Sequence, residues 1–219
     1  MRLKDAIALI RIRISDIAGD AYPQMVGYSD EFITELFNDA LLAAYLIRPE
    51  FFNKTVQVKL KAGNVQCFDC CDKIVSVDAE VDKHGIEKQF TRKINAQLSR
   101  IYANAPSCGT GEDVPLSYDI DDGALDKFYV TPEVKIEEAR YVRLTCNKKP
   151  TMLGYSPDAE IAAFGDALWL PLAHHVLHGI YLTETESETS VNLSTAHFNL
   201  FEKYLKEEYA GRQLLRGKK

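Results

Sequence analysis

The chain has 219 residues, 46% of them hydrophobic and 26% charged, which suffices for a sizeable core and excludes an intrinsically disordered polymer. Its 26 basic and 32 acidic residues leave a net charge of −6, which argues against a surface built to neutralise nucleic-acid phosphate. No segment reaches the ~20 apolar residues needed to span a bilayer, and the N-terminal stretch lacks a secretory signal pattern, so neither a membrane partner nor signal-driven export is expected.

Along the chain, Leu3, Ile7, Ile10, Ile14 and Ile17 recur at steps of four and three, the period of a helix with one buried stripe. Gly19-Asp20 ends that run. Ser29 or Asp30 can cap a second helix whose buried side is Phe32, Ile33, Leu36, Phe37, Ala40, Leu41 and Ala44, and Arg48-Pro49 stops it. The period then changes to two. Val56, Val58 and Leu60 alternate with polar residues, Gly63-Asn64 marks a turn, and Val75, Val77, Ala79 and Val81 alternate up to the turn Asp82-Lys83-His84-Gly85. Phe128-Tyr129-Val130, closed by Thr131-Pro132, and Val142, Leu144 and Cys146 predict two further strands. Residues 103–124, rich in Gly, Pro, Ser and Asp, read as a long loop.

From Pro157 the helical period returns through Ile161, Phe164, Leu168, Leu172, Val176 and Tyr181, with Pro171 at a kink or a helix start. The polar run Glu184 to Asn192 reads as a break, and Ser194 or Thr195 as the cap of a last helix carrying Phe198, Phe201, Tyr204 and Leu205. Gly211 is positioned to end that helix. The expected fold class is α+β, with a bundle of N- and C-terminal helices and an inserted antiparallel β domain. The expected segments are 1–53 for the N-terminal helical pair, 54–150 for the β insert, 151–211 for the C-terminal helices, and 212–219 for a basic arm.

Three groups could carry chemistry. Cys67-Phe68-Asp69-Cys70-Cys71 holds one CxxC, but a structural zinc site normally takes a second pair, and Cys108 and Cys146 stand alone. The five cysteines therefore read as reduced, half-buried thiols of a protein made in a cytoplasm. His174 and His178 lie four apart and could face one metal from one helix, yet the position after His174 holds His175 rather than the glutamate a zinc protease needs. Packing at a helix interface is the preferred reading. Cys108-Gly109-Thr110-Gly111-Glu112 lacks the Lys-Ser/Thr of a phosphate cradle. No nucleophile–base pair or carboxylate dyad is legible, so no catalytic residue, metal or cofactor is expected.

The order of segments resembles the head-to-tail adaptor (connector) proteins of tailed double-stranded-DNA phages. Arg48-Pro49-Glu50-Phe51-Phe52 followed by Val58-Lys59-Leu60-Lys61-Ala62-Gly63-Asn64-Val65-Gln66 is similar to that family's Pro-containing corner and "V-x-L-x-A-G-x-x-Q" strand. Phe128-Tyr129-Val130-Thr131-Pro132, then Tyr141 to Cys146 and Pro150, is similar to its "F-Y-V-x-P" segment. The run from Leu172 through Tyr181, the acidic stretch Glu184 to Glu188, and Ala196-His197-Phe198-Asn199-Leu200-Phe201 match its C-terminal pattern. The chain departs at Cys67 to Cys71, where an apolar residue and proline are more usual, and at His175, where an aromatic is.

The resemblance implies a structural virion protein, made in the host cytoplasm and residing in the neck. It would form a ring of about twelve copies beneath the portal protein, touch a tail protein, and let DNA pass without specific binding. Its C-terminus would reach the portal, with Arg212, Leu214, Leu215, Arg216, Lys218 and Lys219 as a docking arm. Alternatives are another neck or tail-completion protein, and a cytoplasmic metal-binding protein or enzyme using His174, His178, Cys67, Cys70 and Cys71.

Overall fold

A computed structural model of the protein describes residues 2–18, 28–90, 92–93, 116–120, 125–156, 166–183 and 187–216. The chain divides into two compact units, one of Met1–Arg48 with Pro150–Lys219 and one of Pro49–Lys149. The fold is α+β: helices from the two ends of the sequence share a unit, and the β-rich segment is inserted between them.

The helical unit contains α1 (Leu3–Ala18), α2 (Asp30–Ile47), α3 (Asp166–Leu182) and α4 (Glu188–Arg216). Leu3, Ile7, Ile10 and Ile14 are buried as the α1 stripe requires; Ile17, Ile161 and Phe164 fall outside the residues whose side chains are described. Ser29 caps α2 by accepting from the Phe32 amide at 3.1 Å. Segment 150–156 is tied to α2 where Asn38 donates to the Leu153 carbonyl at 3.0 Å and accepts from its amide at 2.7 Å. Tyr155 donates to Asp30, whose carboxylate also takes Arg11 at 2.6 Å. These bonds hold the Asp30 carboxyl below its ordinary range, Arg11 contributing most.

Of the two positions expected for Pro171, a kink or a helix start, it takes an interior one, within α3. Two helix expectations are corrected. Ser187, not Ser194 or Thr195, opens α4: its hydroxyl accepts from the Ser190 amide and its carbonyl from Val191. The break is thus shorter than the polar run implied, because polar residues on the exposed side of a helix mimic a loop. Nor does Gly211 end α4, whose backbone is helical to Arg216. A glycine costs a helix only about 1 kcal/mol relative to alanine, and good helix formers follow it.

The β unit opens with a short 3₁₀ turn, Pro49–Phe52. It then runs through β1 (Asn53–Lys59), β2 (Gly63–Cys67), β3 (Lys73–Val81), β4 (Glu87–Phe90), β5 (Arg92–Lys93), β6 (Ser117–Ile120), β7 (Lys127–Val134) and β8 (Tyr141–Asn147). The sheets are β1-β8-β3-β4 and β2-β7-β6-β5, antiparallel except for the β5–β6 pair. Leu60, Ile74, Val77, Val142 and Leu144 from the first side meet Leu116, Tyr118, Phe128, Val130 and Val134 from the second in one core, so the unit is a β-sandwich. The expected loop 103–124 is broken by β6, whose Tyr118 is buried; residues 103–115 and 121–124 lie outside the described ones. The strand at Phe128 does not close at Thr131-Pro132 but continues to Val134 through a cis Thr131–Pro132 bond.

Candidate functional site

Among the described residues, most of the motifs singled out in the sequence are turned inward; Cys108-Gly109-Thr110-Gly111-Glu112 lies outside them. Gln66 is fully buried, and its side chain closes the β1–β2 turn. Its Oε1 accepts from the Lys61 amide at 2.8 Å, while Nε2 donates to the carbonyls of Lys61 at 2.9 Å and Gly63 at 3.1 Å. Gly63 sits at φ +105°, where a side chain would strain the backbone, so glycine and glutamine serve one turn. The turn at Asp82 is built similarly: its Oδ1 accepts from the His84 and Ile86 amides, which holds the carboxyl below its usual range.

Four of the chain's five histidines gather where α3 meets α4. His174 and His197 approach Nδ1 to Nδ1 at 2.8 Å, both buried. His197 stacks on Tyr181 at 5.6 Å, and His174 on Tyr204 at 5.4 Å. His178 Nδ1 lies 2.8 Å from the Ser194 hydroxyl and 3.0 Å from its carbonyl. His175 packs edge-on to Phe201 at 4.7 Å. Burial, reinforced by neighbouring histidines, lowers His174 and His175 to about 4, and burial also lowers His197 with Arg13 adding to the effect. His174 and His178 thus face different partners on α4. Among the described residues no three His, Cys, Asp or Glu side chains are grouped to hold a metal.

The cysteines correct the sequence reading. Cys71 and Cys146 form a disulfide with Cα atoms 5.7 Å apart, rather than standing as separate thiols. The cause is strand pairing. Ile74 of β3 is the register partner of Cys146 on β8, and the Asp72 amide donates to the Asn147 carbonyl at 3.0 Å, which brings Cys71 alongside. Cys67 and Cys70 are free and half-buried; Cys108 falls outside the described residues. Cys67 Sγ donates to Asp126 at 3.3 Å, and that bond raises its thiol pKa.

Two features were not singled out as functional from the sequence. Arg140 donates to both carboxylate oxygens of Glu80, at 2.8 and 2.7 Å, with each side chain 3% exposed. The two lie sixty residues apart in sequence. His197 was detectable only through the stripe Ser190, Ser194, His197, Phe201 and Leu205, which is buried at helical spacing. Of the proposed C-terminal arm, Arg212 to Arg216 have a helical backbone with undescribed side chains, and Lys218 and Lys219 lie outside the described residues. Among the described residues no helix is long and apolar enough to cross a membrane.

Most chemistry-bearing side chains are thus used for packing and for hydrogen bonds inside each unit. The family described as SU10 adaptor protein matches residues 1–217. No curated protein matches the chain.

Proposed function

The chain belongs to the SU10 adaptor protein family, a family of phage structural proteins, and we propose that it is the head-to-tail adaptor of a tailed phage. In this reading about twelve copies form a ring beneath the portal protein, the ring receives a tail protein on its far side, and DNA leaves through its lumen. The observation that carries it is the extent of the family match, which takes in both the helical unit and the inserted sandwich. The net charge of −6 supports a conduit, since an acidic lumen repels phosphate where a basic one would hold DNA by counterion release.

Assembly is conditional in this proposal: the free protein is a monomer, and the ring closes on the portal, which selects the rotation at which a head-to-tail contact closes. Arg212 to Lys219 form the docking arm, with Leu214 and Leu215 in an apolar groove and the basic residues against acidic rims. The experiment is a phage lacking this gene. It should accumulate DNA-filled heads that carry portal but no tail, and purified protein added back should restore joining. Infectious particles without the protein, or a stable dimer by light scattering that never joins purified portal, would overturn the proposal.

A further inference from the structure

We propose that Cys70 is a thiol–disulfide exchange site that takes a low-molecular-weight disulfide of the glutathione type and relays oxidation inward to the Cys71–Cys146 pair. Cys71 is 5% exposed and Cys146 1%, both sealed in the sandwich core, so a reagent in solution reaches neither sulfur directly. Cys70 is half-buried at the turn outside, with its Sγ 3.5 Å from Cys71 Sγ. The other described free thiol, Cys67, is engaged with the Asp126 carboxylate, which keeps it protonated and a poor nucleophile. The turn is held in place on both sides: the Cys71 amide donates to the Phe68 carbonyl at 3.4 Å, and Asp72 is bonded to Asn147 and Lys149.

The exchange balances without any further reagent. Starting from three reduced thiols, Cys70 gives its proton to water and its thiolate attacks the small disulfide RSSR, forming Cys70–S–S–R and releasing one RS⁻. Cys71 thiolate then attacks Cys70 Sγ, forming a Cys70–Cys71 bond and releasing the second RS⁻. Cys146 thiolate attacks Cys71 Sγ, which forms the buried Cys71–Cys146 disulfide and returns Cys70 as a thiolate that is reprotonated. Two protein thiols are oxidised, and RSSR is reduced to two RSH. Reduction by a small thiol runs the same steps backwards.

The test uses the full-length protein, reduced, desalted and mixed with oxidised glutathione, then quenched with an alkylating agent at intervals and mapped by peptide mass. Wild type should reach the Cys71–Cys146 linkage with Cys70 free at the end. Cys70→Ser should reach the same linkage at least about tenfold more slowly, and Cys67→Ser at the wild-type rate. In Cys71→Ser the relay is cut, so a glutathione adduct should accumulate on Cys70. Circular dichroism checks that each variant is folded, and the adduct in Cys71→Ser keeps the proposal testable should Cys70→Ser misfold. An unchanged rate in folded Cys70→Ser, an adduct that settles on Cys67 instead, or wild-type protein that never forms the Cys71–Cys146 bond would each overturn it.

Discussion

His174 and His197 face each other Nδ1 to Nδ1 at 2.8 Å, a distance that accommodates one proton between the two nitrogens and no second. A doubly protonated pair would place two cations in a buried seam that Arg13 already makes unfavourable for positive charge. His175, held down by burial and by His178 against the opposing effect of Asp39, adds a third reluctant ring. In the unfolded chain these rings titrate near 6.5, the ordinary value for histidine, whereas in the fold His174 and His175 stay neutral down to about 4. As pH falls through that window the unfolded chain binds protons that the folded chain refuses, so stability is present above it and lost within it. The helical unit should lose several kcal/mol across the window. Denaturant unfolding at several pH values checks this, followed by fluorescence of Trp169, the chain's single tryptophan, which packs on Phe37. His174→Phe with His197→Phe should reduce the slope to the share left by His175, and an unchanged slope would remove the His174–His197 contact as its cause.

Glu80 and Arg140 make the corresponding buried contact in the sandwich. Removing one partner strands a charge in the core, so Glu80→Ala should cost about 3–5 kcal/mol. Replacing both, with Glu80→Met and Arg140→Met, should recover most of that loss, because the charges' desolvation cost disappears with them. Thermal unfolding of the single and double variants decides between a pair that stabilises and a pair that merely has to be complete.

The disulfide Cys71–Cys146 closes a loop of 75 residues. Constraining the unfolded chain in this way contributes about 2–4 kcal/mol. Cys146→Ser should therefore lower the unfolding midpoint under non-reducing conditions, and a reductant should bring wild type down to the same value. A midpoint indifferent to both would show that the bond is not populated in solution.

What was legible in the sequence and what was not follows from how far apart the interacting residues lie. The α1 stripe and the Ser29 cap depend on neighbours within one or two turns, and they are where periodicity placed them. The sandwich defeats a period of two at its irregular points. Register shifts in β3 leave Val75 42% exposed, although it alternates with Val77, and in β2 the polar Gln66 is buried while Val65 faces outward. Strand β6 was hidden because Ser117 and Asp119 flank a single buried aromatic within a loop-like composition. The Glu80–Arg140 pair, the Cys71–Cys146 bond and the His174–His197 contact each join residues more than twenty apart, and nothing local announces them.

The C-terminal arm yields the most direct test of the adaptor reading. Leu205 is the last buried residue described on α4, and the helical backbone runs on through Arg216, about 16 Å further at 1.5 Å per residue. Residues 212–219 carry four basic side chains, two leucines and no acid. Deleting them removes the end of a helix without touching Ser190, Ser194, His197, Phe201 or Leu205, so the helical unit should keep its fold and its Trp169 signal. Docking by such an arm would be modest for one copy and strong when summed over a ring, since each further arm binds at high effective concentration. The truncated protein should consequently fail to join DNA-filled heads while remaining a folded monomer. Leu214→Ala with Leu215→Ala should weaken joining at every salt concentration, whereas neutralising Arg212, Arg216, Lys218 and Lys219 should weaken it most at low salt, where their charge is least screened. Normal yields of infectious particles from the truncated protein would show that the arm takes no part in docking.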